Sequence, residues 1–457
     1  MRPVRILLIC PEGRHTAVGR KFKFPFPTAC LPVLAGMVPP EFEVHLVDEI
    51  VEDIDFNEEP DLVGITLMTP MALRAYEIAG RFRQRGSKVV LGGIHPTAVP
   101  EEAAQHADSV VVGEAEGNWP RLLRDFAEGR LQPIYRNPEF PSLEGVPPPR
   151  WDLMKREKYF PITILETTRG CPLDCDFCAV TSFYGGEFRV RPLDEVERDV
   201  RAVAEQPAVA GLRRLTTPYP QGMIFFADSN LIGEKGHAIK LLQMLGKYRV
   251  PWMSYSTIAI AKDQELLDLC QSSNCVGLAI GFESLSQGNL NRMGKGFNRA
   301  TDYEEAIKRI QGRGIGIVAS FILGLDGDDL SVFERTYEFI RRSGIDASYF
   351  LISTPLPATR LRRKLLEEGR IFDFDWDRYD CTHVVFRPKR MSPEQLLDGV
   401  HWLWRETLSH RSIWGRLFHH SPRRGFYLGM NYGMRMLDRK IHPGGPRPPS
   451  STQGGRI

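Results

Sequence analysis

The chain has 457 residues, of which 42% are hydrophobic and 25% are charged, and its formal net charge is +2. This length predicts two or three domains, and the composition excludes a fibrous repeat or wholesale disorder. The near balance of acidic and basic residues gives no field that would gather nucleic acid, and no stretch reaches the roughly 20 apolar residues of a membrane span, so we expect a cytoplasmic protein without a nucleic-acid partner.

Residues 1–131 alternate short apolar runs with amphipathic helical patterns, near 71–85 and 101–106. Strands that alternate with helices favour an α/β fold, here a five-stranded, doubly wound parallel sheet of the flavodoxin-like kind. Ligands of such a sheet bind at the carboxyl ends of its strands. The predicted strands are Val4–Cys10, Glu43–Val47, Leu62–Leu67, Lys88–Leu91 and Ser109–Val112.

The rest of the chain divides by composition into four further parts. Residues 132–160 are rich in proline and are expected to form a partly extended connector. Residues 161–370 repeat a strand and a helix six times, which predicts an open (β/α)6 barrel. Residues 371–441 are expected to be mainly helical, with one helix near 393–410, and the tail 442–457 is expected to be disordered. The predicted barrel strands are Ile162–Glu166, Met223–Asp228, Trp252–Ser256, Val276–Phe282, Gly316–Phe321 and Ala347–Ser353.

Three of the eight cysteines, Cys171, Cys175 and Cys178, directly follow the first barrel strand with the spacing C-x3-C-x2-C. Three thiolates on one loop can wrap an iron–sulfur cubane and leave one iron open for a co-substrate. Structural zinc usually needs four ligands, and no fourth Cys or His lies near this triplet in the sequence. The motif therefore favours an iron–sulfur cluster, and the five scattered cysteines are interpreted as small buried residues.

The cysteine motif resembles that of the radical S-adenosylmethionine superfamily, in which it lies on the loop after the first barrel strand. The resemblance implies that the three cysteines bind a [4Fe-4S] cluster and that S-adenosylmethionine closes the open iron. It also implies that Phe177 packs near the adenine, that Glu283 contacts the co-substrate, and that Ser320 and Gly324 belong to an adenine motif on the fifth strand.

Three more polar residues are candidates to bind the co-substrate. Asp228 and Asn230 end the second barrel strand, where the family places polar groups for the methionyl moiety, although an Asx turn explains them equally well. Arg191 is a candidate to neutralise the co-substrate carboxylate, and a solvated arginine is the alternative.

The N-terminal domain resembles the cobalamin-binding domain that precedes the barrel in one large branch of this superfamily. Its glycine turns follow predicted strands, where backbone without Cβ can approach a broad corrin. A flavin or another nucleotide is less favoured, because the region has no G-x-G-x-x-G or Walker-type loop. The residues predicted to bind cobalamin are Thr66, Met68, Gly92, Gly93, His95, Gly113 and Glu114.

The usual Asp-x-His-x-x-Gly motif of cobalamin proteins is missing, and its nearest equivalent spans residues 13–18. We therefore expect no histidine beneath cobalt, and we expect the loop 67–70 to cover the lower face of the corrin. His95 is expected to bond the nucleotide or the backbone.

Together the two resemblances imply a C-methyltransferase, of a subgroup that resembles hopanoid C-2 methylases. It would act on an unactivated carbon of a small or lipid-like substrate through a 5′-deoxyadenosyl radical and methylcobalamin, with an electron donor such as flavodoxin or ferredoxin. Two alternatives stay open: a non-methylating cobalamin radical enzyme that performs ring closure, rearrangement or carbon–carbon coupling, and a non-catalytic corrinoid or iron–sulfur carrier.

Aromatic residues and arginines are interleaved in the C-terminal region, for example at Trp404, Arg405, Trp414 and Arg416. This pattern suits a peripheral contact with the inner face of the membrane. A helical lid packed on the barrel is the alternative.

Overall fold

Two parallel six-stranded sheets organise the part of the chain that the computed structural model describes, which is residues 3–14, 25–206, 222–417 and 424–441. The first sheet has the order β2-β1-β3-β4-β5-β6, and every neighbouring pair of strands in it is parallel. Its strands are β1 Arg5–Cys10, β2 Glu43–Asp48, β3 Leu62–Thr66, β4 Lys88–Gly92, β5 Ser109–Val112 and β6 Ile134–Arg136.

Helices cover both faces of this sheet. Because side chains alternate along a strand, Ile6 and Leu8 of β1 pack in one apolar cluster with Leu122, while Leu7 packs in another with Phe82. This arrangement confirms the predicted doubly wound fold. The helices of this half are α1 Cys30–Gly36, α2 Ala72–Gln84, α3 Ile94–Ala98, α4 Pro100–Ala103 and α5 Ala115–Ala127.

The prediction of five strands was wrong, because β6 lies inside the proline-rich segment that was expected to be a connector. Three residues are too short to show an alternating pattern, so the strand had no signal in the sequence. It lies at the sheet edge, where flanking prolines are tolerated. Tyr135 is 1% exposed, and its hydroxyl donates a hydrogen bond to Asp125 Oδ2 at 2.9 Å.

The second sheet has the order β14-β13-β12-β11-β10-β7, again with parallel neighbours. Strands that follow one another in the chain lie side by side, as predicted for an open (β/α)6 barrel. A short antiparallel pair, β8 and β9, flanks the loop that carries the three cysteines. The strands are β7 Ile162–Leu165, β8 Thr168–Arg169, β9 Arg189–Val190, β10 Met223–Phe226, β11 Trp252–Ser256, β12 Cys275–Glu283, β13 Gly316–Leu323 and β14 Ala347–Ile352.

Helices cover the outer face of the barrel, where the largest apolar cluster lies. Each strand contributes alternate side chains to that cluster, as Phe226 does from β10 and Phe321 from β13. The helices of this half are α6 Ala179–Tyr184, α7 Leu193–Ala204, α8 Lys235–Tyr248, α9 Gln264–Ser272, α10 Gln287–Arg292, α11 Tyr303–Gln311, α12 Ser331–Ser343 and α13 Arg360–Glu367.

Three helices follow the barrel: α14 Pro393–Thr407, α15 His410–Leu417 and α16 Arg424–Ile441. Met434 of α16 joins the apolar cluster at the first residues of the barrel strands, beside Ile162 and Met223. Arg416 is 1% exposed and donates to the carbonyls of Ile345 (2.8 Å) and Thr407 (2.9 Å). These contacts agree with a helical layer packed on the barrel.

Contact with a membrane stays a prediction. In the described ranges, no helix combines the length and the apolar character needed to cross a bilayer. The tail 442–457, predicted to be disordered, lies outside the described residues.

Candidate functional site

A cavity of about 390 Å³ lies between the carboxyl edge of the first sheet and the first strand of the barrel. Its N-terminal wall includes residues at the carboxyl ends of β1, β3, β4 and β5 and residues of α1, and its other wall includes the end of β7 and Arg191. The structure therefore brings together most of the residues predicted for cobalamin. Those that line the cavity are Thr66, Met68, Gly92, Gly93, Gly113 and Glu114.

The cavity wall offers bare backbone and apolar side chains, which suit a corrinoid. Gly113 has a φ of +85°, and a Cβ there would have no protein atom within 4 Å. Met68 is 50% exposed although it is apolar, so the predicted covering loop presents an unpacked side chain at the cavity. Thr97, which the sequence did not single out, joins two turns: its hydroxyl donates to Gly93 O (2.8 Å) and accepts from Gly113 N (2.9 Å).

His95 lies elsewhere than predicted. It belongs to α3 rather than to a loop, its side chain is completely buried, and it does not line the cavity. Its ring nitrogens lie 3.1 Å from the Tyr76 hydroxyl and 3.4 Å from Thr69 Oγ1, so its partners are side chains and not the backbone. Burial lowers the pKa of His95 to about 4, which keeps the ring neutral. The ring packs edge-on against Trp376, which follows the barrel in sequence.

Contacts with other segments hold the loop with the three cysteines at its start and in its middle. Gly170 has a φ of +84°, and a Cβ there would lie 1.9 Å from the carbonyl oxygen of Glu187. Within the loop, Asp176 N donates to Met293 O (3.0 Å), and Arg360 Nε donates to Asp176 Oδ1 (2.8 Å). These contacts position the backbone of the cysteine loop.

All three cysteines of the loop are half-buried free thiols, and Cys171, Cys175 and Cys178 form the donor set of the proposed cluster. Burial raises the pKa of Cys171, and it raises the pKa of Cys175 to about 12. In the described ranges, no group of three or more His, Cys, Asp or Glu side chains has the arrangement of a metal-ion site. The fit to a [4Fe-4S] cluster therefore depends on the chemistry of the donors, which are three soft thiol ligands on one loop.

A smaller cavity of about 60 Å³ lies beside the cysteine loop. Phe177 and Gly324, which were predicted separately as adenine contacts, both line it. Ser320 does not line it, and its hydroxyl donates to Glu283 Oε2 at 3.3 Å. This cavity is a candidate site for the adenine ring.

Glu283 ends β12 at an irregularity of the sheet, with a φ of +61°, which is rare for a residue with a side chain. Lys295 Nζ donates to Glu283 Oε1 at 2.6 Å, and both side chains are largely buried. The charge of the same ammonium group partly offsets the rise that burial causes in the pKa of Cys171 and Cys175, so Lys295 lies beside the cysteine loop. Lys295 had no recognisable motif in the sequence.

Asp228 supports the segment that leads into the cysteine loop. The carboxylate is fully buried and accepts hydrogen bonds from Thr167 N (2.6 Å), Thr167 Oγ1 (2.5 Å) and Thr168 N (3.0 Å). Burial raises its pKa to about 6 despite these bonds. Asp228 therefore holds the turn that leads into the cysteines, and its oxygens are already engaged.

Asn230 and Arg191 keep unused polar atoms, which suits a polar co-substrate. Asn230 is 4% exposed, and its Oδ1 has no hydrogen-bond partner among the described residues. Arg191 donates to Glu166 O and to Asp199 Oδ2, both at 2.9 Å, while its buried Nε lacks a partner in the same ranges. Buried polar groups are normally paired, so a bound ligand would satisfy both atoms.

A buried ion network joins the two halves of the chain next to the cysteines. Arg169, two residues before Cys171, bonds to Glu114 (2.7 Å) and Glu116 (2.6 Å), which lie at the start of α5. Arg189 also pairs with Glu114, whose side chain is 1% exposed. Burial opposes ionisation of Glu116, but the charge and hydrogen bond of Arg169 outweigh it and lower the pKa. Glu114, predicted to bind cobalamin, thus has two arginine partners.

Comparisons with known proteins agree with this layout. The sequence profile of the Radical SAM superfamily matches residues 165–340, and that of the B12 binding domain matches residues 16–123. The chain is 31% identical over 418 residues to bacteriochlorophyllide d C-12(1)-methyltransferase of Chlorobaculum tepidum, covering 90% of this chain and 88% of the relative.

Two further comparisons extend over most of the chain. It is 26% identical over 390 residues to hopanoid C-2 methylase of Rhodopseudomonas palustris, covering 80% of this chain and 71% of that protein. The solved structure of the radical S-adenosylmethionine methyltransferase TsrM from Kitasatospora setae, with cobalamin and a [4Fe-4S] cluster bound, superposes with a TM-score of 0.68 at 18% identity. That superposition covers 96% of this chain and all of TsrM, and it shows a shared fold.

Proposed function

This chain belongs to the radical SAM superfamily, and from that premise we propose that it is a cobalamin-dependent C-methyltransferase acting on a small or lipid-like molecule. Its cofactors are a [4Fe-4S] cluster, S-adenosylmethionine and cobalamin. One observation supports the proposal above the others: a single cavity is lined by the glycine turns of the B12 binding domain and by the barrel strand that leads into the cysteine loop.

Bound at these positions, a reduced cluster would supply the electron for cleavage of S-adenosylmethionine, and a corrinoid would supply a carrier for a methyl group. The protein's part is to hold and orient. In the proposal, Cys171, Cys175 and Cys178 hold the cluster, while the turns at Gly93 and Gly113 hold the corrinoid against the barrel. An electron donor such as flavodoxin or ferredoxin completes the system.

The remaining polar groups are assigned to S-adenosylmethionine. Asn230 Oδ1 and Arg191 Nε are buried without partners among the described residues, and they would bind its amino and carboxylate groups. Phe177 would pack on the adenine at the smaller cavity. The Glu283–Lys295 pair would keep a fixed, charge-balanced wall beside the cysteines.

Aromatic side chains on the inner face of the barrel favour an apolar substrate. Tyr255 is 48% exposed although its strand, β11, lies in the middle of the sheet. It packs edge-on against Phe225, with ring centroids 5.1 Å apart, and Phe225 shares an apolar cluster with Tyr349. Aromatic faces bind flat or aliphatic surfaces well, which suits molecules of the kind named in two relatives, a bacteriochlorophyllide and a hopanoid.

The test is anaerobic reconstitution with iron, sulfide and hydroxocobalamin, followed by quantification of the products of S-adenosylmethionine under reductant. Methyl transfer predicts 5′-deoxyadenosine and S-adenosylhomocysteine together. Cys175→Ala should abolish 5′-deoxyadenosine, whereas the control Cys270→Ala, in the barrel core, should retain it. 5′-Deoxyadenosine without S-adenosylhomocysteine would replace methyl transfer with the non-methylating alternative, and absence of both would favour a carrier.

A further inference from the structure

Two cysteines outside the cluster motif meet on the wall of the large cavity. Cys10 is the last residue of β1, and Cys30 is the first residue of α1. Both line the cavity, together with Thr66. They belong to one packed cluster, and each thiol affects the pKa of the other, so the two side chains lie close together. The sequence alone predicted both to be small buried residues, because nothing in it pairs position 10 with position 30.

Their surroundings give the two thiols different acidity and different exposure. The interaction between the two side chains lowers the pKa of Cys30 and, with burial, raises the pKa of Cys10. The Thr28 hydroxyl lies 2.7 Å from Cys30 Sγ, and the Thr66 side chain also contacts it. A thiolate with a lowered pKa is the better nucleophile at neutral pH. Cys30 is moreover half-buried, whereas Cys10 is buried.

We infer that Cys10 and Cys30 form a redox pair, which a low-molecular-weight disulfide such as oxidised glutathione converts to an intramolecular disulfide in the cavity wall. The Cys30 thiolate attacks one sulfur of glutathione disulfide, whose S–S bond breaks and releases one glutathione. The Cys10 sulfur then attacks Cys30 and releases the second glutathione. Both cysteine protons end on the two glutathione thiols, so the protein loses two electrons and the reagent gains them.

The two cysteines also lie at the proposed cobalamin site. Because both cysteines line the cavity assigned to cobalamin, a bound corrinoid covers them and slows their oxidation. This second part depends on the proposed function, whereas disulfide formation in the cobalamin-free chain does not. The two parts are therefore measured separately.

Peptide mapping distinguishes the pair from every other cysteine. Trypsin releases Cys10 in the peptide Ile6–Arg14 and Cys30 in Phe24–Arg74, so only a disulfide can join them. The full-length protein, with and without hydroxocobalamin, is treated with oxidised glutathione under anaerobic conditions, alkylated, digested and analysed by mass spectrometry. We expect the linked peptide in the cobalamin-free protein, its loss after treatment with dithiothreitol, and less of it in the loaded protein.

Two serine variants test the order of the steps. In Cys10→Ser, Cys30 should retain glutathione, because no second thiol displaces it. In Cys30→Ser, Cys10 should remain unmodified. The internal control is Cys270 and Cys275, which are fully buried in the barrel core and should stay unmodified.

Absence of the linked peptide in the cobalamin-free protein would overturn the inference. Equal linkage with and without bound cobalamin would overturn the placement of the pair on the cofactor wall. A glutathione adduct on Cys10 rather than Cys30 would reverse the assigned nucleophile.

Discussion

Arg169 should stabilise the junction between the two halves of the chain, because several buried or partly buried glutamates share it as their ion-pair partner. Its guanidinium contacts Glu114, Glu116 and Glu166, and its own side chain is 12% exposed. The variant Arg169→Met keeps the length of the side chain but removes the charge. Glu114 would keep Arg189 as a partner, whereas Glu116 would lose the partner that lowers its pKa most.

The loss should be large for a single substitution. Removing one partner of a buried ion pair leaves an uncompensated charge and costs about 3–5 kcal/mol. In contrast, Arg150 pairs with Asp152 at a site where both side chains are about half exposed. Arg150→Met should therefore change the free energy of unfolding by less than about 1 kcal/mol.

The effect should also depend on pH, with a defined sign. In the wild type the pKa of Glu116 is lowered, so its stabilising contribution is present above the unfolded pKa of about 4.3 and is lost as the pH falls below it. In Arg169→Met, burial is opposed only by the backbone hydrogen bond of Glu116 and by the more distant charge of Arg189, so we expect the pKa of Glu116 to rise above the unfolded value. The variant then loses stability as the pH rises from about 4.3 through that raised pKa, so the difference from the wild type is greatest near pH 7.

Urea unfolding followed by tryptophan fluorescence at pH 7 and pH 5 measures both effects. The double variant Arg169→Met/Glu116→Gln removes the stranded charge and should recover most of the loss at pH 7. Strictly additive costs of Arg169→Met and Glu116→Gln would refute the coupling. A loss in Arg169→Met no larger than that of Arg150→Met would refute the buried network as a stabilising element.

Three further outcomes are expected from the site. Gly113→Ala imposes a side chain at a φ of +85°, so it should cost about 1–2 kcal/mol and weaken uptake of hydroxocobalamin in a spectral titration; unchanged uptake would contradict the role of this turn. Asp228→Asn loses a charged acceptor of Thr167 and should cost about 1–3 kcal/mol and lower the iron content after reconstitution, which a wild-type iron content would disprove. Because the folded pKa of His95 is lowered to about 4, the wild type should lose roughly 3 kcal/mol of stability as the pH falls from about 6.5 to 4, and His95→Gln should lack this slope in urea unfolding; an unchanged slope would assign it to other groups.

The sequence predicted the features that depend on local spacing. The alternation of strands and helices predicted both parallel sheets. The cysteine motif predicted a cluster site, because its three ligands lie on one loop and need no distant partner. The glycines after β4 and β5 could be predicted as neighbours because the carboxyl ends of parallel strands meet at one edge of the sheet. Gly93 and Gly113 accordingly line one cavity.

The predictions were weakest where a side chain chooses between partners that are distant in sequence. His95 is hydrogen-bonded to Tyr76 on the neighbouring helix, and Glu114 forms ion pairs with two arginines that follow it by 55 and 75 residues. A charged residue at a strand end can bind a ligand, cap a helix or form an ion pair, and the sequence does not distinguish these three roles. Burial decides between them, since a carboxylate removed from water requires a cation or donor close by.

The order of residues around the cysteines suggests why the ion network lies where it does. Arg169 precedes the first cysteine by two positions, and Arg189 is its register partner in the antiparallel pair β8–β9. Both arginines reach the acidic turn that follows the cavity glycine Gly113. A shift of that turn would therefore have to break buried charged contacts or move the strand that leads into the cysteines. The distance between the two proposed cofactor sites is in this way set by the ion pairs as well as by the packing of the two sheets.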